Sequence, residues 1–303
     1  MGLKQIKNKI NSTERTSKVT KAMEAVSAVK MRKSQERALD GRPYAEAALR
    51  ILGRVSGSLE AKNHPLTASG NGTHECLIVI TSDKGLAGNL NSAVLKEAGL
   101  VLKKHKKEDV DLICFGRKAN DYFTRRGYNV VERHLNVSDS IVLDDMKDVV
   151  QKITEQFSEG RYNTVSVVYQ SFISTFEQAA LVRQVLPLEP EILEVMVRDI
   201  VPKEGKFSAQ IKDIDSTAYT VEPNQETVLD TIFPQLVQIM VYHALLESKA
   251  SEHSARMVAM KNATDKAEEV TANLTLKYNK ARQTMITAEV SEIIGGIEAL
   301  RQN

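Results

Sequence analysis

The sequence predicts a mixed α/β fold in which two long terminal helices accompany a central α/β domain. Apolar residues recur at helical spacing through the last eighty or so residues, and the first forty residues carry helix formers with no internal break. The middle of the chain alternates apolar runs with helical stretches, which predicts a mostly parallel sheet. We therefore expect three parts: an N-terminal helical part over residues 1–57, a central α/β domain over 74–220 and a C-terminal helix over 221–303.

The C-terminal stretch, residues 222–303, has the apolar stripe of a coiled coil, with steps of three and four residues. The stripe comprises Leu229, Phe233, Leu236, Met240, Leu245, Ala255, Val258, Ala263, Ala267, Val270, Leu274 and Met285. At ~1.5 Å per residue such a helix is too long for the interior of a compact domain, so we expect it to project. The N-terminal helix is the obvious partner. Pro234 should mark an early turn or a kink.

The N-terminal helix, residues 3–40, carries two apolar stripes that are slightly out of register. The first comprises Leu3, Ile6, Ile10 and Thr13, and the second comprises Val19, Ala22, Val26 and Val29, with Ala25 and Ala28 beside it. We expect both stripes to face the seam, without a strict heptad. Gly41 to Pro43 should break the helix, a second helix should cover 44–55, and residues 56–74 read as a loop.

The central region predicts five strands, near residues 76–81, 110–115, 128–135, 164–172 and 178–186. The first is a continuous apolar run, which is typical of a strand that is buried on both faces. Helices are expected near 92–106, 117–126 and 141–158. The last two strands have a short connection and should pair as an antiparallel hairpin, while residues 187–221 form an irregular return segment.

Charge is unevenly distributed, although the net charge is only +2. Residues 1–42 contain eleven Lys or Arg and four Asp or Glu, which gives +7 there and leaves −5 for the rest. Such a basic helix is a solvated face, or it meets an acidic protein, a nucleic acid or a membrane surface. No apolar run is long enough to span a membrane, and no signal peptide precedes the chain. Cys76 and Cys114 lie in apolar runs and should be buried free thiols.

Recognisable reaction chemistry is missing from the pattern. Residues 82–91 occupy the place where a doubly wound sheet would hold a phosphate, but they match neither Gly-x-Gly-x-x-Gly nor a P-loop. The six histidines show no ligand spacing, and Asp144, Asp145 and Asp148 fit a solvated helix face. We therefore expect a non-catalytic chain without a cofactor or a metal.

Four segments carry a family resemblance. Residues 10–35 closely resemble the N-terminal helix of the γ subunit of F-type ATP synthase, and residues 251–265 resemble part of its C-terminal helix. Residues 278–296 match the family's C-terminal signature, and residues 82–91 resemble its Asp-Arg/Lys-Gly-Leu-x-Gly loop. The likeness spans nearly the whole chain. Ile297 and Glu298 depart from the small residues usual there, which puts a close bearing contact at the extreme C-terminus in doubt.

The resemblance implies a rotor shaft. The terminal helices would form an antiparallel coiled coil inside the α3β3 hexamer, and a Rossmann-like central domain would sit on the membrane-embedded c-ring beside the ε subunit. Proton or sodium flow through the c-ring would turn the shaft, and each orientation would favour different states of the β catalytic sites. The chain would have no active site of its own, bind no nucleic acid and associate with the membrane peripherally, through the complex.

The resemblance also implies contact residues. Contacts with the β subunits fall on Met23, Lys30, Lys33, Lys84, Arg282 and Gln283. Contacts with the c-ring fall on Tyr219 and Glu222. For each of these residues the alternative is ordinary packing or a solvated charge.

Two other functional classes fit part of the pattern. A coiled-coil adaptor or nucleic-acid-binding protein with a Rossmann-like domain would account for the helices and the charge, and an enzyme of that fold only for the middle. No targeting segment precedes the start of the sequence, so we expect the cytoplasmic side of a bacterial inner membrane. A processed organellar form stays open.

Overall fold

The structure is a computed structural model that describes residues 2–40, 61, 63–68, 70–189 and 224–301. Backbone contacts divide the chain into two compact units. One comprises residues 1–27 and 256–303, and the other comprises residues 28–255. Both terminal helices contribute to both units. The predicted break at 41–43, the helix at 44–55, most of the loop at 56–74 and nearly all of the return segment lie outside the described residues.

Five helices and five strands form the described framework, apart from short 3₁₀ turns at Lys107–Asp109 and Leu143–Met146. The helices are α1 (Leu3–Asp40), α2 (Leu90–Leu102), α3 (Arg117–Thr124), α4 (Lys147–Ser158) and α5 (Gln225–Arg301). The strands are β1 (His74–Ile80), β2 (Val110–Phe115), β3 (Asn129–His134), β4 (Tyr162–Phe172) and β5 (Gln178–Leu186).

The sheet has the strand order β3-β2-β1-β4-β5. Four of its strands are parallel, and β4 pairs with β5 as the predicted antiparallel hairpin. The mixed α/β fold with a mostly parallel sheet and a long C-terminal helix is therefore confirmed. The helix predicted over 141–158 is wrong in its first turns, because residues 143–146 form a 3₁₀ turn before α4 begins.

Strand β1 explains why the domain has two apolar cores. Cys76, Ile78 and Ile80 face one core, in which α4 and residues 229–246 of α5 cover the sheet. Leu77 and Val79 face the other core, which is covered by α2 and α3. Successive side chains of a strand point to opposite faces, so a strand buried on both faces must be apolar throughout.

Helix α5 begins with a capped turn. The side-chain oxygen of Asn224 accepts a hydrogen bond from the backbone N–H of Thr227 at 2.8 Å, which satisfies one of the free donors of the first turn. The predicted start near Glu222 lies outside the described residues. Pro234 lies inside the helix, which continues on both sides of it.

The predicted seam of α5 is confirmed over most of its length. Its apolar positions from Leu229 to Leu274 are buried or half-buried, and residues 243–248 are buried on every side. The prediction is wrong at Met285, which is 50% exposed. From residue 282 onward every described side chain is exposed, because no other described element covers this end of the helix.

The seam of α1 differs from the prediction. Val19, Val26 and Val29 are more than half exposed, and Ala22 is exposed too, so the second apolar stripe does not face the seam. Most of the covered positions recur at every seventh residue along two rows. One row comprises Ile6, Thr13, Thr20, Ser27 and Ser34, and the other comprises Leu3, Ile10, Ser17, Glu24 and Met31. The prediction that α1 has no strict heptad is therefore wrong for these two rows.

Small hydroxyl residues can occupy this seam because a hydroxyl can donate a hydrogen bond to a backbone carbonyl of its own helix. Thr13 donates its hydroxyl to the carbonyl of Lys9 at 2.8 Å, and Ser27 donates to the carbonyl of Met23 at 2.7 Å. Back-bonding of this kind removes most of the cost of burying a hydroxyl. The exposed valines are consequently surface residues of α1 in the isolated chain.

By length and composition alone, the helical stretch Glu226–Ile297 could cross a membrane. However, 56% of the apolar window that meets this criterion is buried inside the protein. A helix that fills a protein core meets the same criterion, and the burial of residues 243–248 favours that interpretation.

Candidate functional site

The predicted contact residues of α1 differ in their exposure. Met23 is half-buried beside the seam, and Lys33 is exposed. The side chain of Lys30 is 47% exposed. Lys30 and Lys33 are three residues apart, so they lie on one face of the helix.

Lys30 is engaged by a carboxylate of its own chain. Its Nζ atom lies 2.8 Å from Oδ2 of Asp139, a residue of the segment between β3 and α4. The other oxygen, Oδ1, lies 3.0 Å from Nε2 of His253 and 3.7 Å from Nζ of Lys249, both on α5. One carboxylate therefore connects α1, the α/β domain and α5 within residues 28–255.

The environment of Asp139 favours its ionised form. The hydrogen bond from His253 holds the pKa of the Asp139 carboxyl well below its ordinary value, and Lys30 and Lys249 act in the same direction against the opposing effect of burial. Because two lysines and a hydrogen bond from His253 stabilise the charged carboxylate, the group remains an anion at any physiological pH.

The backbone around Asp139 is held as well. Within residues 137–143, which we name the strap, alternate carbonyls accept hydrogen bonds from helix side chains. Lys249 donates to Val137 at 2.7 Å, Arg37 to Asp139, Tyr242 to Ile141 at 3.2 Å and Gln238 to Leu143 at 2.7 Å. Three of these donors belong to α5 and one to α1.

No pattern in the sequence predicts the strap. Asp139 stands between two serines in a stretch without periodicity, and its partners lie 102 to 114 residues away along the chain. Pairing at that separation depends on the tertiary fold. Lys30 was expected from the family resemblance to meet another subunit, and the structure adds a partner within the chain.

The loop at residues 82–91 lies at the carboxyl end of β1, next to the start of α3. Oδ1 of Asp83 accepts hydrogen bonds from the backbone N–H groups of Arg117 at 3.0 Å and Asn136 at 2.9 Å. The hydroxyl oxygen of Thr81 accepts a further hydrogen bond, from the backbone N–H of Ala119 at 2.8 Å. Donors at the start of α3 that could bind a phosphate are thus bound by the chain's own side chains.

Gly116 makes this arrangement possible. Its φ angle is +89°, and a Cβ atom there would clash with the carbonyl oxygen of Thr81. Lys84 lies on the exposed part of the loop, beside Leu86, which is 63% exposed. The loop therefore presents a cation and an apolar side chain to the outside.

The distal part of α5 presents a long exposed surface. Arg282 and Gln283 are both exposed. The large apolar side chains that follow are also exposed, about half or more: Met285, Ile286, Val290, Ile293, Ile294 and Ile297. Apolar exposure on this scale marks an interaction surface.

Two predicted residues cannot be placed, since Tyr219 and Glu222 lie outside the described residues. Among the residues that are described, no group of three or more His, Cys, Asp or Glu could hold a metal ion. Cys76 and Cys114 are buried free thiols as predicted, and burial raises the pKa of Cys114 to about 12. The predicted contact residues that the structure describes therefore provide a contact surface of cations, an amide and exposed apolar side chains.

Comparison with known proteins identifies the family. The sequence model of the family described as ATP synthase matches residues 2–300. The ATP synthase gamma chain of Pelotomaculum thermopropionicum is 39% identical over 298 residues, which is 98% of this chain and 99% of that protein. The chain belongs to the ATP synthase gamma chain family. It is thus a subunit of a complex that associates with a membrane.

Solved structures agree on the fold. A chain of the Euglena gracilis mitochondrial ATP synthase, in a structure of its OSCP, F1 and c-ring, has a TM-score of 0.66 and 18% identity. The match covers 98% of this chain and 94% of that one. A central stalk chain of the Tetrahymena thermophila enzyme has a TM-score of 0.58 and 24% identity, over 81% of this chain and 99% of that one. This likeness and the family membership are consistent with a rotor shaft.

Proposed function

We propose that this chain is the central rotor shaft of an F-type ATP synthase. It couples proton or sodium flow through the c-ring to conformational cycling of the β catalytic sites, for ATP synthesis or hydrolysis, and it has no active site of its own. The observation that carries the proposal is α5: one helix of 77 residues whose side chains are buried at residues 243–248 and exposed from residue 282 to residue 297. A family member with such a helix needs surrounding subunits to cover it.

The mechanism is differential contact. Each orientation of an asymmetric shaft favours a different set of β conformations, and the free energy comes from contacts that differ between orientations. The proposed partners are the α3β3 hexamer, the ε subunit and the c-ring, with no role for nucleic acid. The proposed division is the shaft helices at 1–57 and 221–303 and the α/β domain at 74–220.

Individual residues have proposed roles. Met23, Lys30 and Lys33 would face acidic loops of β, and Lys84 would approach β from the α/β domain. Arg282 and Gln283 would hold a further β loop, since a planar guanidinium pairs well with a carboxylate. Tyr219 and Glu222 would contact the c-ring. The exposed apolar residues from Met285 to Ile293 suit an apolar sleeve formed by the hexamer.

The proposed location is the cytoplasmic side of a bacterial inner membrane, through the complex. A processed organellar form is the alternative, and fractionation of the source cells distinguishes the two. Membrane attachment that depends on the other subunits supports a peripheral rotor. Attachment of the isolated chain to lipid vesicles would contradict it.

Reconstitution tests the function. The purified chain alone should hydrolyse no ATP, whereas the chain mixed with α and β subunits should copurify with them and restore sustained hydrolysis. Catalysis by the isolated chain, or failure to copurify with α and β, would overturn the proposal. A coiled-coil adaptor would instead show tight, salt-sensitive binding to duplex DNA and no affinity for α and β.

A further inference from the structure

The Asp139 carboxylate and the strap form a polar connection between the α/β domain and both helices α1 and α5 within residues 28–255. Asp139 contacts Lys30, Lys249 and His253 through its side chain, and its carbonyl accepts from Arg37. The His253 side chain is only 4% exposed and that of Lys249 11%, whereas those of Asp139 and Lys30 are 35% and 47% exposed. The α5 side of the cluster is therefore buried, and its α1 side is open to solvent.

Burial of the α5 partners makes their contacts with Asp139 stiffer than ordinary surface ion pairs. Exposed pairs exchange freely with water and salt, but a carboxylate that contacts two buried donors on one helix and Lys30 on another has few alternative arrangements. The strap carbonyls also accept hydrogen bonds from three side chains on one side of α5, at positions 238, 242 and 249. Rotation of α5 about its own axis relative to the strap would break all of them together.

We propose that Asp139 is a positioning residue for coupling: it fixes α1 and α5 in one angular register with the α/β domain and holds Lys30 in place on the helix face. This inference rests on the proposed rotor function and identifies where torque passes from the α/β domain into the helices. Without the carboxylate the helices are held less firmly in this register and Lys30 loses its fixed position, so ATP hydrolysis continues with less ion pumped per ATP.

The chain offers a matched control for this carboxylate. Glu132 on β3 also lies near a histidine and a lysine, with 3.0 Å to Nε2 of His134 and 3.4 Å to Nζ of Lys152. Both partners belong to the α/β domain, to β3 and α4. Glu132 therefore combines a carboxylate with a histidine and a lysine, as Asp139 does, but these partners do not lie on a terminal helix. Loss of charge at Glu132 should therefore leave coupling unchanged.

The test uses the complete ATP synthase in inverted membrane vesicles. ATP hydrolysis and ATP-driven ion uptake are measured for the parent, Asp139→Asn, Asp139→Glu and Glu132→Gln complexes. We expect the Asp139→Asn complex to keep the hydrolysis rate of the parent. Its ion uptake per ATP should fall about fivefold, a factor that corresponds to the lower end of typical coupling free energies between sites. Asp139→Glu should restore most of the uptake, and Glu132→Gln should match the parent.

A second variant keeps the proposal testable if Asp139→Asn fails to assemble. Lys249→Met removes the cation that binds both the strap and Asp139, and it should lower the uptake per ATP in the same direction. Unchanged uptake per ATP in either assembled variant would overturn the proposal, as would an equal loss in Glu132→Gln. Failure of the parent chain to assemble with α and β would instead contradict the rotor function itself.

Discussion

The hydroxyl oxygens of Thr20 and Thr264 lie 2.6 Å apart in a buried part of the seam between α1 and α5. Each hydroxyl also lies within hydrogen-bonding distance of a carbonyl on its own helix, that of Ser17 at 3.0 Å and that of Met260 at 2.9 Å. A hydrogen-bonded pair at a core position of a coiled coil favours one register, because a slipped arrangement separates the two hydroxyls.

The threonine pair gives a prediction for stability. Thr20→Val or Thr264→Val alone should lower the free energy of unfolding by about 1 kcal/mol, since each removes the hydrogen bond between the two helices. The double variant should cost less than the sum of the two single variants, because that one hydrogen bond can be lost only once. Urea unfolding followed by circular dichroism measures this, and strictly additive losses would contradict the pairing.

Two glycines with positive φ form a matched pair for a second prediction. Gly116 and Gly127 have φ angles of +89° and +72°, but only at Gly116 would a Cβ meet backbone atoms. Gly127→Ala should cost about 1–2 kcal/mol of left-handed strain. Gly116→Ala should cost more than about 3 kcal/mol, because the start of α3 must move away from Thr81. Equal melting temperatures for the two variants would count against this account.

Lys33 allows a test of the proposed β contact that leaves the Asp139 contacts in place. Lys33→Glu should reduce ATP-driven ion pumping by up to about fivefold while assembly is retained, because an exposed ion pair is worth at most about 1 kcal/mol. Lys96→Glu, an equal charge reversal on the exposed face of α2, is the control. If both variants pump like the parent, Lys33 has no role at β.

His243 predicts how stability depends on pH. Burial, with a smaller effect of Arg183, lowers the pKa of His243 to about 3 and outweighs the neighbouring Glu247, whose Oε1 lies 3.4 Å from Nδ1 of His243. The unfolded chain therefore binds a proton at His243 near pH 6.5, whereas the folded chain binds it only near pH 3. The contribution of His243 to the free energy of unfolding is present above about pH 6.5 and is lost as the pH falls from there toward 3. The loss from this group is up to about 1.4 kcal/mol per pH unit.

The variant His243→Gln isolates this contribution. Its free energy of unfolding should decline less steeply than that of the parent between pH 6.5 and 4.5, measured by urea titration at each pH. Parallel declines in the two proteins would show that the pKa of His243 does not differ between the folded and unfolded states.

Periodicity was a reliable guide where side chains are apolar, and a misleading one where they are small and polar. The apolar run of β1 and the stripe of α5 from Leu229 to Leu274 predicted their own burial. On α1 the apolar spacing predicts that the valines face the seam, but Thr20 and Ser27 occupy it. Local hydrogen bonds to the helix backbone let hydroxyls be buried, and a hydrophobicity pattern cannot detect that compensation.

The amino-acid sequence alone determined the α/β alternation, the long C-terminal helix, the buried free thiols and the family, because apolar spacing and signature segments are local properties of the chain. Tertiary structure decided which face of α1 meets the seam, that the loop at 82–91 caps α3, and that Asp139 joins Lys30 to Lys249 and His253. These depend on which groups meet across separations of up to 244 residues, and that is set only when the whole chain packs.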